Sequence, residues 1–129
     1  IQGYGVILVF LLLFIITAIA LGALGAHYLS EILSESNLKS LETGIRYQLL
    51  HGFALLFLTL NSDKFTSRLK NSLNIMITGV CLFSFSIYLL SIQRAIELSM
   101  SFLGPITPIG GILLIGSWTM LFFSIKKID

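Results

Sequence analysis

Four long apolar stretches, separated by short polar segments, dominate the pattern of this chain. They cover residues 4–26, 38–60, 72–91 and 106–125, and only the second contains charged residues. A helix of about 20 residues crosses the roughly 30 Å hydrocarbon core of a bilayer. The pattern therefore predicts an all-α fold: a single domain over residues 1–129 that forms an integral membrane bundle of four transmembrane helices.

The second stretch brings more polar side chains into the membrane than the other three do. Its nearly uninterrupted apolar part, Phe53 to Leu60, is too short to span a bilayer, so the turns before it must cross part of the membrane too. Residues 27–37 alternate between polar and apolar side chains and predict a short outer interfacial helix. Asn37 is the expected N-cap of the second span, because its side chain can accept a hydrogen bond from a nearby amide.

Small residues and prolines indicate where helices begin or approach one another. Proline cannot donate a backbone hydrogen bond, so Pro105 or Pro108 should lie in the first turn of the fourth helix. In the first span, Ala18, Gly22 and Ala26 recur at intervals of four, which lets another helix approach closely. The expected packing and helix-start residues are Gly22, Ala26, Gly44, Pro105, Pro108, Gly110 and Gly111.

Composition supports a membrane environment and excludes several other classes of protein. The chain is 56% hydrophobic and 11% charged, whereas soluble domains average roughly 25% charged residues. Its net charge of +2 is small and its basic residues are scattered, which argues against a nucleic-acid partner and leaves membrane lipid as the expected surroundings. The single cysteine, Cys81, cannot form an internal disulfide and is expected to pack among apolar neighbours.

The distribution of basic residues predicts the orientation in the membrane. One side would hold five of them (Lys64, Arg68, Lys70, Lys126 and Lys127) and the other three (Lys39, Arg46 and Arg94). The positive-inside rule then places both termini in the cytoplasm. The first apolar run is longer than the core of a usual signal peptide and no basic residue precedes it, so we expect a retained span.

A cluster of polar side chains is expected under the outer surface. At 100° per residue, Gly44, Tyr47, Gln48 and His51 share one helix face, whereas Glu42 and Arg46 lie on the opposite face. Alternating spans bring the serines of the third span and the end of the first to the same side of the membrane. The predicted cluster comprises His27, Glu42, Arg46, Tyr47, Gln48, His51, Ser84, Ser86 and Tyr88.

Three interpretations of this cluster remain open. His51 could be a structural group, hydrogen-bonded to Gln48, Tyr47 or a serine of the third span, because buried polar groups in lipid need partners. It could instead carry protons or contact a solute. A metal site is disfavoured, since His51 lies on the helix face away from Glu42, and Glu42 is expected to pair with Arg46 four residues on.

Recognised catalytic motifs are not found in the sequence. Ser84 and Ser86 are not framed by the glycines of a nucleophile elbow, and the third span contains no acid that could orient a histidine. Gly110 and Gly111 lack the following Lys-Ser/Thr of a phosphate-binding loop. We therefore predict that the protein is not an enzyme and has no cofactor or metal site.

Four motifs resemble a known family. They are Gly22–His27, Glu42–Gln48 with His51, Ser84–Tyr88 and Pro105–Gly111. In this order they resemble the YgdD/YwdK-like family of small bacterial membrane proteins, domain-of-unknown-function family 423. The resemblance covers essentially the whole chain, departing at Phe83, where that family often has glycine. It implies a four-span protein of the bacterial inner (plasma) membrane and supplies no activity.

Two functional hypotheses follow, with a lipid-modifying enzyme as a distant third. The first is a non-enzymatic structural or accessory membrane protein, working as a homo-oligomer or within a larger complex, because small-residue seams favour helix packing. The second is a small transporter or channel for a solute or protons, favoured by intramembrane His51 and by the Pro-Gly start of the fourth helix. Four short spans leave little room for a pathway within one chain, so the second hypothesis requires an oligomer.

Overall fold

Four long helices joined by short connections make up the computed structural model, which describes residues 3–127. They are α1 (Gly5–Ile32), α2 (Glu35–Leu60), α3 (Leu69–Ile92) and α4 (Ile106–Phe122). Between residues 3 and 127 there is no strand, only one isolated antiparallel bridge between Phe65 and Ile125. The prediction of an all-α fold is confirmed.

Three of the helical segments are long and apolar enough to cross a membrane. They are Gly5–Ile32, Leu69–Ile92 and Ser101–Phe122. The 26-residue helix α2 is not among them; besides Lys39, Glu42 and Arg46 it contains the polar residues Gln48 and His51. Three long apolar helices are therefore established for the described chain.

The core lies where α3 meets the other helices. In α3, Leu73, Met76 and Val80 are fully buried, together with Leu55 of α2 and Leu11 of α1. Helix α1 packs along α2, and α4 packs along α3. Lipid tails are as apolar as these side chains, so the contacts stabilise the fold through close packing rather than through removal from water. Helices α2 and α4 have few direct contacts, and a groove remains between them.

A π-turn interrupts both α1 and α3. The turns cover Gly25–Leu29 in α1 and Cys81–Phe85 in α3, and each holds one more residue than an α-turn would. Before its π-turn, α3 buries apolar side chains in the core; after it, α3 buries Tyr88 against α2. Helix α3 therefore packs in the apolar core before the π-turn and forms a polar contact with α2 after it.

The start of α2 corrects two predictions. Residues 27–32 prolong α1 instead of forming a separate outer interfacial helix, so that helix is not confirmed. Ser34, in extended conformation, is the N-cap of α2, and its hydroxyl accepts a hydrogen bond from the Asn37 amide at 3.1 Å. The prediction of Asn37 as the cap is wrong, because Asn37 lies within the first turn and supplies the donor.

The predicted close packing at Gly22 is also wrong within this chain. A Cβ built on Gly22 meets nothing within 4 Å, and Ala26 is exposed. The buried face of α1 instead alternates steps of four and three, through Ile7, Leu11, Phe14 and Ala18. Repeated steps of four drift around a helix by about 40° each, so they leave the contact face after two turns.

Gly22→Leu is therefore expected to leave the protein as stable as the parent, or more stable by up to about 1 kcal/mol through helix propensity. Gly52→Leu is the matched contrast, because a Cβ there would lie 2.9 Å from Ile15 Cγ1 and 3.5 Å from the Leu11 carbonyl oxygen. Thermal unfolding in detergent compares the two variants. If Gly22→Leu lowered the stability as much as Gly52→Leu, Gly22 would have to lie on the buried face of α1, contrary to the structure.

Candidate functional site

Gln48 is the centre of a buried network that joins three helices. Its side chain is 0% exposed. The amide nitrogen donates to the Phe14 carbonyl oxygen at 2.7 Å and to the Thr17 hydroxyl at 2.5 Å, both in α1. The amide oxygen accepts from the Tyr88 hydroxyl of α3 at 2.6 Å. The Gln48 side chain thus uses both of its donors and its acceptor inside the protein.

Gly44 makes the contact between α2 and α3 possible. A Cβ at Gly44 would lie 2.7 Å from Cε1 of Tyr88, so a larger residue would displace that ring. The Ser84 hydroxyl also donates to the Gly44 carbonyl oxygen at 2.9 Å. Because Gly44 precedes Gln48 by about one helical turn, the ring can lie against the backbone of α2 and direct its hydroxyl at Gln48.

His51 joins α2 to α4. Its Nδ1 lies 2.7 Å from the Tyr47 carbonyl oxygen, and its Nε2 accepts from the indole N–H of Trp118 at 3.0 Å. A carbonyl oxygen can only accept and an indole N–H can only donate, so these partners fix the neutral ring with its proton on Nδ1. Both ring nitrogens of His51 are therefore occupied by hydrogen bonds within the chain.

The predicted partners of His51 are only partly correct. Tyr47 is one of them, but through its main-chain carbonyl rather than its side chain. The second partner is Trp118, in the last turns of α4, and not Gln48 or a serine of α3. His51 consequently contacts the last turns of α4, whereas the sequence pattern predicts a polar cluster at the Pro-Gly start of that helix.

A groove of about 590 Å³ opens between α2 and α4 beside the pair formed by His51 and Trp118. Phe83 of α3 contributes to its wall and packs on Tyr47, with ring centroids 4.8 Å apart. The remaining lining is mostly apolar and comes from α4. The full lining consists of Tyr47, His51, Phe83, Gly111, Leu114, Ile115, Trp118, Thr119 and Phe122.

The start of α4 docks on the π-turn of α3. Thr107, in the first turn of α4, shares a 2.5 Å hydrogen bond with the Ser86 hydroxyl, which also donates to the Phe83 carbonyl oxygen at 3.0 Å. Pro105 caps α4 and Pro108 lies in its first turn. Gly110 lies against the main chain of Phe83, while a Cβ built on Gly111 would lie 3.8 Å from Cδ1 of the Phe83 ring.

Other members of the predicted cluster stand apart from these contacts. His27, Glu42 and Arg46 are exposed in the described chain. The pairing of Glu42 with Arg46 stays a prediction. Over residues 3–127 no three His, Cys, Asp or Glu side chains lie close enough to hold a metal ion. The polar residues form separate links between helices rather than one cluster.

Three participants were missed by the sequence analysis: Thr17, Thr107 and Trp118. Trp118 carried a usable signal, because a buried indole N–H in an apolar helix needs an acceptor and few acceptors are available in lipid. Thr17 carried little signal, since a threonine in a helix usually donates to its own backbone, as Thr17 does to Leu13 at 2.7 Å.

Comparison with known proteins identifies the family of this chain. The profile of the family described as "Protein of unknown function (DUF423)" matches residues 21–111. The UPF0382 membrane protein YwdK of Bacillus subtilis is 34% identical, over 85% of this chain and 87% of its own length. A UPF0382 membrane protein of Haemophilus influenzae is 34% identical, over 84% of each chain.

A eukaryotic relative shows the same similarity. The UPF0382 membrane protein C1782.12c of Schizosaccharomyces pombe is 37% identical, over 81% of this chain and 88% of its own length. No solved structure matches the chain. The resemblance seen in the four motifs is confirmed, and the chain belongs to the DUF423 family of membrane proteins of unknown function.

Proposed function

We propose that this protein is a non-enzymatic structural or accessory component of the bacterial inner membrane, acting as a homo-oligomer or within a larger membrane complex. The observation that carries this proposal is that Gln48 and His51, the polar side chains that link the helices, have all their hydrogen-bonding atoms engaged within the chain, whereas the buried hydroxyls of Thr59 and Ser91 have no partner. Gln48 has partners on two other helices, and both nitrogens of His51 are occupied. Residues arranged in this way hold helices together, and neither Gln48 nor His51 keeps a free donor or acceptor nitrogen for other chemistry.

Four membrane crossings with both termini in the cytoplasm belong to the same proposal. Helix α2 has 26 residues, enough for about 39 Å, and it buries its polar Gln48 and His51 against other helices instead of exposing them to lipid. Its exposed Glu42 and Arg46 lie in the first half, where they can reach the outer interface. The larger number of basic residues at the opposite end supports the cytoplasmic termini.

Cysteine labelling tests this topology in a Cys81→Ser background. Glu35→Cys and Glu97→Cys should react with an impermeant thiol reagent added to intact cells, whereas Lys64→Cys should react only after the cells are opened. Detection of all three variants after permeabilisation provides the control for expression. Labelling of Lys64→Cys from outside, with none at the other two positions, would reverse the orientation.

A proton-linked transporter or channel is the second candidate, because the groove between α2 and α4 reaches His51. This function would require His51 to release Trp118 when it takes up a proton, since a protonated ring has no acceptor for the indole N–H. The reconstituted protein would then conduct protons across vesicle membranes.

Substitution of His51 separates these two functions. Glutamine keeps a donor and an acceptor but cannot take up a proton near neutral pH, so His51→Gln should retain most of the stability. His51→Leu orphans the indole N–H of Trp118 and should cost about 1 to 3 kcal/mol. Thermal unfolding in detergent measures both variants.

Vesicles that contain a pH-sensitive dye provide the functional half of the same experiment. For the structural role we expect no proton flux above that of empty vesicles. A wild-type flux that disappears in folded His51→Gln protein would establish the transporter instead.

A further inference from the structure

Two cavities of different character share one lining residue, Thr119 of α4. The first is the groove between α2 and α4 already described, which Thr119 lines at one end. The second has a volume of about 430 Å³ and is lined by Arg68, Asn71, Thr119, Met120 and Phe123. It lies where α3 begins and α4 ends, so the two cavities are neighbours on α4.

The groove is suited to an apolar occupant because most of its lining residues are apolar and three of its polar side chains already form hydrogen bonds within the chain. His51 and Trp118 bond to each other, and the Thr119 hydroxyl donates to the Ile115 carbonyl oxygen at 2.9 Å. A polar ligand would find no free donor among these three groups. Its volume of about 590 Å³ lies within the roughly 300 to 1,000 Å³ that is usual for ligand sites.

The second cavity offers the opposite chemistry. The Arg68 and Asn71 side chains are exposed, and neither forms a side-chain hydrogen bond with another residue between 3 and 127. A guanidinium group presents a planar fork of donors that matches two oxygens of a phosphate, and the Asn71 amide can add a further donor. The mouth of the cavity therefore fits a phosphate, next to the apolar side chains of Met120 and Phe123.

The charge of this end of the molecule favours an anion as well. The connection between α2 and α3 is held against the segment after α4, because the Lys126 amide donates to the Lys64 carbonyl oxygen at 3.0 Å and the Thr66 amide donates to the Ser124 carbonyl oxygen at 2.7 Å. This pairing brings the two segments to the same end of the molecule. Residues 61–68 and 123–127 contain the basic residues Lys64, Arg68, Lys126 and Lys127, against one acidic residue, Asp63, and Lys70 follows in the first turn of α3.

From this arrangement we infer that the protein binds an anionic phospholipid of the leaflet that adjoins the connection between α2 and α3. Arg68 and Asn71 hold the phosphate, and one acyl chain enters the groove and lies beside Trp118. This inference goes beyond the proposed function, which requires no bound lipid. It assigns anionic phospholipid as the ligand of the two cavities, which the hydrogen bonds between the helices do not fill.

The single tryptophan of the chain, Trp118, reports directly on the groove, and its side chain is 44% exposed. The protein is placed in nanodiscs in which one lipid carries brominated acyl chains, which quench indole fluorescence on contact. Brominated phosphatidylglycerol in plain phosphatidylcholine is compared with brominated phosphatidylcholine in plain phosphatidylglycerol, at the same mole fraction of bromine. We expect the anionic lipid to be preferred about fivefold, the effect of one basic side chain near a membrane surface.

Matched variants separate a site from a general basic surface. Arg68→Gln and Asn71→Leu should bring the preference close to one. Lys70→Gln should retain it, since Lys70 lies outside the cavity with its ammonium 5.1 Å from the centroid of the Tyr4 ring. If Arg68→Gln and Lys70→Gln lowered the preference for the anionic lipid equally, the preference would come from general attraction to a basic surface, and the inference would be overturned.

The acyl-chain half of the site is tested at two glycines of α4. Gly111 lines the groove, and Gly111→Leu should fill it and lower quenching by brominated phosphatidylglycerol. Gly116 is outside the groove and a Cβ there meets nothing within 4 Å, so Gly116→Leu should leave the quenching unchanged. Equal quenching by the two brominated lipids in the wild type, or no effect of Gly111→Leu, would show that Trp118 meets only bulk lipid.

Discussion

Gly110→Ala is expected to destabilise the protein at the upper end of the roughly 1 to 3 kcal/mol that overpacking costs. A Cβ at this position would overlap the main-chain nitrogen of Phe83 and would lie 2.8 Å from Phe83 Cα and 2.9 Å from the Gly79 carbonyl oxygen. All of these are backbone atoms, so no change of rotamer can relieve the contact. Either α4 moves away from α3 or the π-turn of α3 changes.

Gly116→Ala, in the same helix, is the control for this prediction. Its Cβ would meet nothing within 4 Å, so only helix propensity should act, with a gain of up to about 1 kcal/mol. Loss of helical circular dichroism on heating in detergent measures both variants. Equal midpoints would mean that α3 and α4 are not in backbone contact at Gly110.

Gln48→Leu should be similarly harmful, with a loss of about 2 to 4 kcal/mol. The variant removes the links to Phe14, Thr17 and Tyr88, and hydrogen bonds between transmembrane helices contribute roughly 0.6 to 2 kcal/mol each. It also leaves the buried Tyr88 hydroxyl without its acceptor, which costs about 1 to 3 kcal/mol. Leucine has nearly the same volume as glutamine, so the substitution should change the packing little. Thermal unfolding in detergent measures the loss of stability.

A double-mutant cycle with Tyr88→Phe isolates the contact between these two side chains. Tyr88→Phe alone should destabilise the protein, because it leaves the Gln48 amide oxygen without this donor. In the Gln48→Leu background the same change removes an orphaned hydroxyl, so it should be neutral or favourable. We expect a coupling of about 1 to 2 kcal/mol. Strictly additive losses would mean that the two side chains do not interact.

Hydropathy predicted the helices well because each apolar stretch is long enough to form a helix that crosses a bilayer. Its limits appear at the start of α2, where Ser34 and Asn37 can both act as caps and only the backbone conformation distinguishes them. At Gly22 the interval of four residues suggested a contact face that α1 does not use. Small residues are common in membrane helices, so their spacing alone does not say which ones face another helix.

The partners of the polar residues were harder to predict than the residues themselves. Gln48 and His51 stood out because lipid makes unpaired polar groups costly. Yet Gln48 bonds partly to the main-chain carbonyl of Phe14, a group that every residue carries, and Trp118 lies 67 positions from His51. Such pairings depend on how helices are rotated against each other, which a single sequence does not specify.

The π-turn of α3 also has a consequence for the evolution of this chain. A deletion of one residue between Cys81 and Phe85 would turn the segment into regular α-helix and leave the rest of α3 in nearly the same orientation, because the π-turn holds its extra residue within about the same rotation. The half before the turn would keep its place in the core, and Tyr88 would still face Gln48. A one-residue gap at this segment among aligned relatives would therefore mark the loss of the π-turn with the contact between α2 and α3 retained, whereas a one-residue gap elsewhere in α3 would rotate Tyr88 by about 100°.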